Sequence, residues 1–244
     1  MIATNQARAI SSPPSTSILP HSARPGTLII FQELLPYPQA WALQQKFHAE
    51  RVSGTRADTL VLLEHPPVYT VGRRTQSDHV GRGEAALRET GAAIEPVNRG
   101  GSVTYHGPGQ LVGYPILTLS HYASGPKTYV RLLEEVLIQT LALSGITGHP
   151  MAHKPGVWTT TNRGMLKIAS IGVLVEYGVT LHGFALNINV DLSPFALIVP
   201  CGLEGCETTS MAEIMPAPAS LPLVARQVAG VFSSVFHLEW EPFA

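Results

Sequence analysis

A chain of 244 residues with 45% hydrophobic and only 14% charged side chains is long and apolar enough to bury its own core, which excludes an intrinsically disordered protein. Its 16 basic and 17 acidic residues leave a net charge of −1, so no field gathers nucleic acid or an anionic membrane, and neither is expected as a partner. Two cysteines, Cys201 and Cys206, are too few for a disulfide framework, no secretory signal opens the chain, and no apolar run approaches the roughly 20 residues that span a bilayer; a cytoplasmic protein is expected.

Residues 1–26 are rich in Ser, Pro and Ala, contain no Asp or Glu, and show no sustained apolar period. They read as a flexible extension in front of a single domain over 27–244, although the same composition, with Arg8 and Arg24, would also suit an organellar transit peptide. Residues 27–31, 59–63, 68–71 and 112–119 are short apolar or β-branched runs bounded by Gly, Pro or charge, hence strands. The spacing of Val130, Leu133, Val136, Leu137, Thr140 and Leu141 predicts a helix over 127–143 that stops before Gly145, and a second helix follows over 224–236. Segments 165–177 and 179–191 meet at Gly178 as a hairpin with a tight turn. Neighbouring strands on short turns, with helices that do not strictly alternate, predict an α+β fold: a mixed, largely antiparallel sheet flanked by helices.

Three places invite chemistry. The segment Arg99-Gly100-Gly101-Ser102-Val103-Thr104-Tyr105-His106-Gly107-Pro108-Gly109-Gln110 mixes glycines with hydrogen-bonding side chains, so its backbone could approach a bound acyl chain or oxygen while Arg99 and His106 bracket it; the alternative is a structural turn. It fits neither the dinucleotide fingerprint nor the phosphate loop. Cys201, in Val199-Pro200-Cys201-Gly202, is either a nucleophile on a rigid mount with free N–H groups nearby or a small buried hydrophobe. Cys206 favours the second reading, since Glu204 and Glu207 raise rather than lower a thiol pKa. Lys167 interrupts Met165-Leu166-Lys167-Ile168-Ala169-Ser170-Ile171-Gly172-Val173, an otherwise apolar strand, and either snorkels to water or does proton chemistry in a pocket. Paired ligands at zinc spacing and the Gly-x-Ser-x-Gly elbow of serine hydrolases are both missing.

Taken in order, Glu64-His65-Pro66-Pro67-Val68-Tyr69-Thr70-Val71-Gly72-Arg73, residues 99–110, Lys154-Pro155-Gly156-Val157-Trp158, residues 167–172, His182-Gly183-Phe184-Ala185-Leu186-Asn187 and Pro200-Cys201-Gly202 resemble the octanoyl transferases of lipoate biosynthesis over most of residues 27–215. The resemblance implies the fold of the biotin and lipoate protein ligase catalytic domains. It implies transfer of an octanoyl group from octanoyl-acyl carrier protein to the acceptor lysine of lipoyl domains, those of 2-oxoacid dehydrogenase E2 subunits and of the glycine cleavage H protein, with no cofactor and no metal. The acyl-thioester cysteine falls on Cys201 and its lysine partner on Lys167. Substrate binding falls on Arg99, Gly100, Gly101, Ser102, Val103, Thr104, Tyr105 and His106, on Ser170, Ile171 and Gly172, and on Gly183, Phe184 and Ala185. The alternative within the same fold is an ATP-dependent lipoate or biotin ligase, which needs no cysteine.

Overall fold

The structure, a computed structural model, describes residues 23–81, 83–199 and 207–241. The main sheet is built from β1 (Arg24–Leu34), β2 (Asp58–Glu64), β6 (Gln110–Ile116), β7 (Gly148–Met151), β8 (Lys154–Thr161), β9 (Gly164–Glu176), β10 (Val179–Asn187) and β11 (Leu238–Trp240), in the order β11-β1-β2-β6-β10-β9-β8-β7. The pairs β11–β1 and β1–β2 are parallel and all the others antiparallel. A smaller sheet carries β3 (Val68–Val71) between β4 (Ala93–Pro96) and β5 (Val103–His106). The expected mixed, largely antiparallel α+β architecture is what the chain forms.

Alternation along the strands assigns the two faces. Leu60 and Leu62 of β2, Leu111 of β6, and Phe184 and Leu186 of β10 share a core with α3 (Pro126–Ala142), Met211 of the short α4 (Met211–Ile214) and α5 (Leu221–Phe236). Val61 and Leu63, Val112, Tyr114 and Ile116, and Ala185 turn the other way and meet Ala40 and Phe47 of α1 (Tyr37–Val52). Because period 2 sends neighbours to opposite faces, such central strands are apolar throughout and are covered on both sides. A third cluster, with Tyr69, Val103, Tyr105 and Phe195, fills the space under the small sheet beside α2 (Glu84–Glu89).

The expected hairpin forms with Tyr177 and Gly178 in its turn at φ 49° and 76°, the two left-handed residues that a type I′ connection requires. The front of the domain lies earlier than the expected edge at Thr27. Arg24 to Gly26 pair with Leu238 to Trp240, and the Arg24 N–H donates to the His237 carbonyl at 2.9 Å. The strand partner comes from the far end of the chain, which no local pattern announces. Among the described residues, no helix is long and apolar enough to cross a membrane.

Candidate active site

A cavity of about 1020 Å³ is bounded by the 99–106 segment, by the central residues of β9 and β10, by one side of α3 and by residues 150–155. Lys167 stands in its wall and is 1% exposed, so of its two readings the one that snorkels to the outer surface is set aside. Its ammonium lies 5.5 Å from the ring centre of Trp158, its partner on β8. Gly156 closes over its stem: at φ 120° this residue has room for no side chain, since a Cβ would lie 2.7 Å from Lys167 Cε and 2.3 Å from the Ala169 carbonyl oxygen. The Gly156 N–H in turn donates to Glu134 Oε1 at 3.1 Å. Burial raises the Glu134 carboxyl, while that N–H and the charges of Arg131 and Lys167 pull it back.

The backbone around Lys167 is equally specific. Between the pairs Val157↔Ala169 and Trp158↔Lys167 the ladder of β8 and β9 slips, leaving Ile168 as a bulge of the kind that re-aims side chains near functional sites. On its other edge β9 pairs with β10 as far as Leu186↔Ala169. Beyond that point the chain after the cysteine segment takes over: the Lys167 N–H donates to the Glu207 carbonyl at 3.0 Å and the Thr209 N–H to the Lys167 carbonyl at 2.9 Å. On the near side of that segment, the Val199 N–H donates to the His79 carbonyl at 2.9 Å. Cys201 and Cys206 lie outside the described residues.

His106 and His182 line the cavity, and His65 packs behind His106 with ring centres 5.7 Å apart. His65 gives its Nδ1–H to the Leu35 carbonyl at 2.6 Å and accepts at Nε2 from the Tyr114 hydroxyl at 2.7 Å. His182 stacks on Trp41 at 5.0 Å with its Nε2 2.7 Å from Asn98 Oδ1, and adopts φ 56°, a left-handed conformation that costs a side-chain-bearing residue about 1–2 kcal/mol. Its own N–H donates to Gln44 of α1 at 2.9 Å. Burial pushes His65 down to about 4, and burial with the nearby Arg99 and Arg73 guanidinium groups pushes His182 down to about 3. His106 falls to about 3 through burial and the charge of His65. Arg99 donates to the Thr70 carbonyl and hydroxyl at 2.7 and 2.8 Å, which fixes its guanidinium against β3.

These histidines predict an acid-labile fold. Each has a folded pKa below the unfolded value of about 6.5, so between about 6.5 and 3 the unfolded chain binds the extra protons; stability is complete above that window and is lost as pH falls into it. At pH 5 each histidine costs about 2 kcal/mol. Denaturant midpoints compared at pH 7.5 and pH 5 should drop sharply; equal midpoints would show that these rings are charged in the folded state.

Of the residues expected to bind substrate, Arg99, Gly100, Gly101, Thr104, His106, Ser170, Ile171, Gly172, Gly183, Phe184 and Ala185 line the cavity together with Lys167. Ser102, Val103 and Tyr105 do not. β5 alternates, so Thr104 and His106 face the cavity while Val103 and Tyr105 enter the core of the small sheet, and the Ser102 hydroxyl pairs with His79 Nδ1 at 2.7 Å. As site residues, sequence reasoning passed over Tyr37, Arg74, Tyr114, Glu134 and His182, which also line the cavity. His182 alone carried a local signal, a histidine preceding glycine inside an apolar strand.

Residues 36–233 match the model of the lipoyl protein ligase A/B catalytic domain. The chain belongs to this family. Within it, the chain groups with the octanoyltransferases: it is 47% identical to the octanoyltransferase of Chloroflexus aurantiacus over 84% of this chain and 92% of that one. It is 43% identical to that of Syntrophotalea carbinolica (86% and 94% covered) and 44% identical to that of Gloeobacter violaceus (89% and 93% covered). Among solved structures, the fold resembles a bi-partite lipoate protein ligase from Thermoplasma acidophilum, with a TM-score of 0.68, 14% identity and 90% and 87% of the two chains covered. It also resembles lipoate-protein ligase A bound with ATP, at 0.66, 15%, 90% and 88%. This lipoyl protein ligase A/B family member therefore has the catalytic-domain fold that its sequence implied.

Proposed function

We propose that the protein transfers an octanoyl group from octanoyl-acyl carrier protein to the acceptor lysine of lipoyl domains, in the cytoplasm, through a thioester on Cys201 assisted by Lys167. The observation that carries the reading is Lys167 itself, an amine buried in the cavity wall with the chain that leaves the Pro200-Cys201-Gly202 motif bonded to its backbone at Glu207 and Thr209. The octanoyltransferase relatives span most of the chain and support the same class of reaction.

The chemistry divides into two steps. The Cys201 thiolate attacks the carbonyl of the carrier thioester, the tetrahedral oxyanion collapses, and the carrier thiolate leaves and takes a proton; one thioester replaces another at little net cost. The lipoyl lysine amine then attacks the Cys201 thioester, forms an amide and loses a proton, while the cysteine leaves as a thiolate. A free lysine has a pKa near 10.4, so a base beside the thioester must accept that proton at neutral pH. The cavity serves both steps by bringing donor and acceptor to one cleft in turn.

The ATP-dependent ligase reading shares the fold but leaves Cys201 without work. Octanoyl-acyl carrier protein should support transfer to a lipoyl domain without ATP, and free octanoate with ATP should be a poor donor. Strict dependence on ATP would overturn the proposed reaction, and mass spectrometry of the lipoyl domain reads both arms.

A further inference from the structure

The motif His182-Gly183-Phe184-Ala185-Leu186-Asn187 ends on a residue that the reaction above does not use. Asn187 is buried at the end of β10, directly opposite Gln110 of β6. Its Nδ2 donates to the Thr209 carbonyl at 2.9 Å. Gln110 Nε2 donates to Asn187 Oδ1 at 2.9 Å and to the Tyr105 carbonyl at 3.3 Å, and His106 Nδ1 lies 2.7 Å from Gln110 Oε1.

The direction of this chain of bonds is fixed by its two carbonyls, which only accept. Asn187 must offer Thr209 its NH₂, so its oxygen takes the NH₂ of Gln110. The oxygen left on Gln110 then accepts from His106. A neutral His106 therefore carries its proton on Nδ1 and a lone pair on Nε2. His106 lines the cavity, and among the described residues none bonds that Nε2. Burial keeps the ring neutral through the physiological range.

We propose that Gln110 and Asn187 are positioning residues: their paired amides hold His106 in the Nδ1–H tautomer, so that Nε2 accepts an N–H of the incoming primary amine, and fasten Thr209 beside Lys167. The inference rests on the reading of this cavity as the transfer site. By taking one N–H, Nε2 orients the amine and leaves its lone pair directed at the thioester carbon, a gain in geometry that a proton-accepting group alone does not provide. The same amide pair ties β6 and β10 to Thr209, whose N–H in turn bonds the Lys167 carbonyl.

The test is a long-range ¹H–¹⁵N correlation spectrum of the ¹⁵N-histidine-labelled full chain without substrate. His106 should show a protonated Nδ1 and a bare Nε2, and Gln110→Met should convert it wholly or partly to the Nε2–H form. In single-turnover assays of the octanoylated protein, Gln110→Met and Asn187→Leu should slow deacylation by the lipoyl domain about tenfold, the loss expected for one hydrogen bond. A bare Nδ1 in the unmutated protein overturns the proposal without recourse to any variant. So does a tautomer unchanged in Gln110→Met, or deacylation at the unmutated rate. Failure of the transferase reading would instead appear as an unmutated protein that acquires no octanoyl mass, an outcome the tautomer spectrum does not depend on.

Discussion

Cys201→Ser should take up no octanoyl group from octanoyl-acyl carrier protein and should lose transfer to the lipoyl domain by on the order of a thousandfold or more, as enzymes do when the nucleophile is removed. The reason is the ionisation of the attacking group: a thiol near pKa 8.5 supplies a useful fraction of thiolate at neutral pH, which a serine hydroxyl does not. Intact mass after mixing with the donor reads the first step directly, and the unmutated protein should gain one octanoyl group. Cys206→Ser should behave like the unmutated protein, because two glutamates flank that thiol in sequence and favour its protonated form. A Cys201→Ser protein that transfers at the full rate would eliminate the covalent route. A Cys206→Ser protein that folds yet fails to transfer would move the thioester to the other cysteine.

What the sequence displayed was whatever has a local period or a local turn. The strand over 68–71 coincides with β3, the 127–143 helix with α3 to within one residue at each end, and the turn at Gly178 with the β9–β10 hairpin. The longest helix passed over was α1. Its buried side includes Gln44 and His48 beside Tyr37, Ala40 and Phe47, so its stripe is not an apolar one. Both polar side chains work in the interior: Gln44 accepts the N–H of the strained His182, and His48 Nε2 lies 3.0 Å from the Glu176 carbonyl. The strand predicted over 112–119 begins two residues and ends three residues early, as β6 over Gln110–Ile116. Gln110 looked like the end of a polar segment because its partner Asn187 is 77 residues away.

The same divide runs through the site. Residues 99–106 stood out by composition, but only the pleat of β5 shows that Thr104 and His106 serve the cavity while Val103 and Tyr105 serve a core. Glu134 gave no sign at all. It is one carboxylate on a helix that carries two in succession, and only the packing of α3 against Pro155 and Gly156 of β8 brings it to the Gly156 N–H, beside the stem of Lys167. Long-range pairing places such residues, and a single sequence displays pairing only where a turn makes it short.

Lys167 is where the two halves of the proposed reaction make opposite demands, and this gives the second large effect. During loading, a positive charge near the cysteine favours the thiolate; during transfer, a neutral amine must accept the proton that the lipoyl lysine sheds. In the proposed reaction acylation switches the group between roles, because turning the Cys201 thiolate into a thioester removes a negative charge that would favour the ammonium. The amine stands 5.5 Å from the Trp158 ring centre, with the close-fitting Gly156 against its stem. Lys167→Arg keeps a cation that does not deprotonate. It should still permit loading of Cys201, while transfer to the lipoyl domain falls by about 10²- to 10⁴-fold, the usual worth of a general base. Lys167→Ala should impair both steps and move the pH dependence of Cys201 alkylation upward, since the thiolate then lacks its cation. Rapid-quench measurement of each half-reaction, with alkylation rates from pH 5 to 9, separates the cases. If Lys167→Ala alkylates along the unmutated pH profile and transfers octanoyl at the unmutated rate, the buried lysine is a structural residue of β9 and the proton of the attacking amine goes elsewhere.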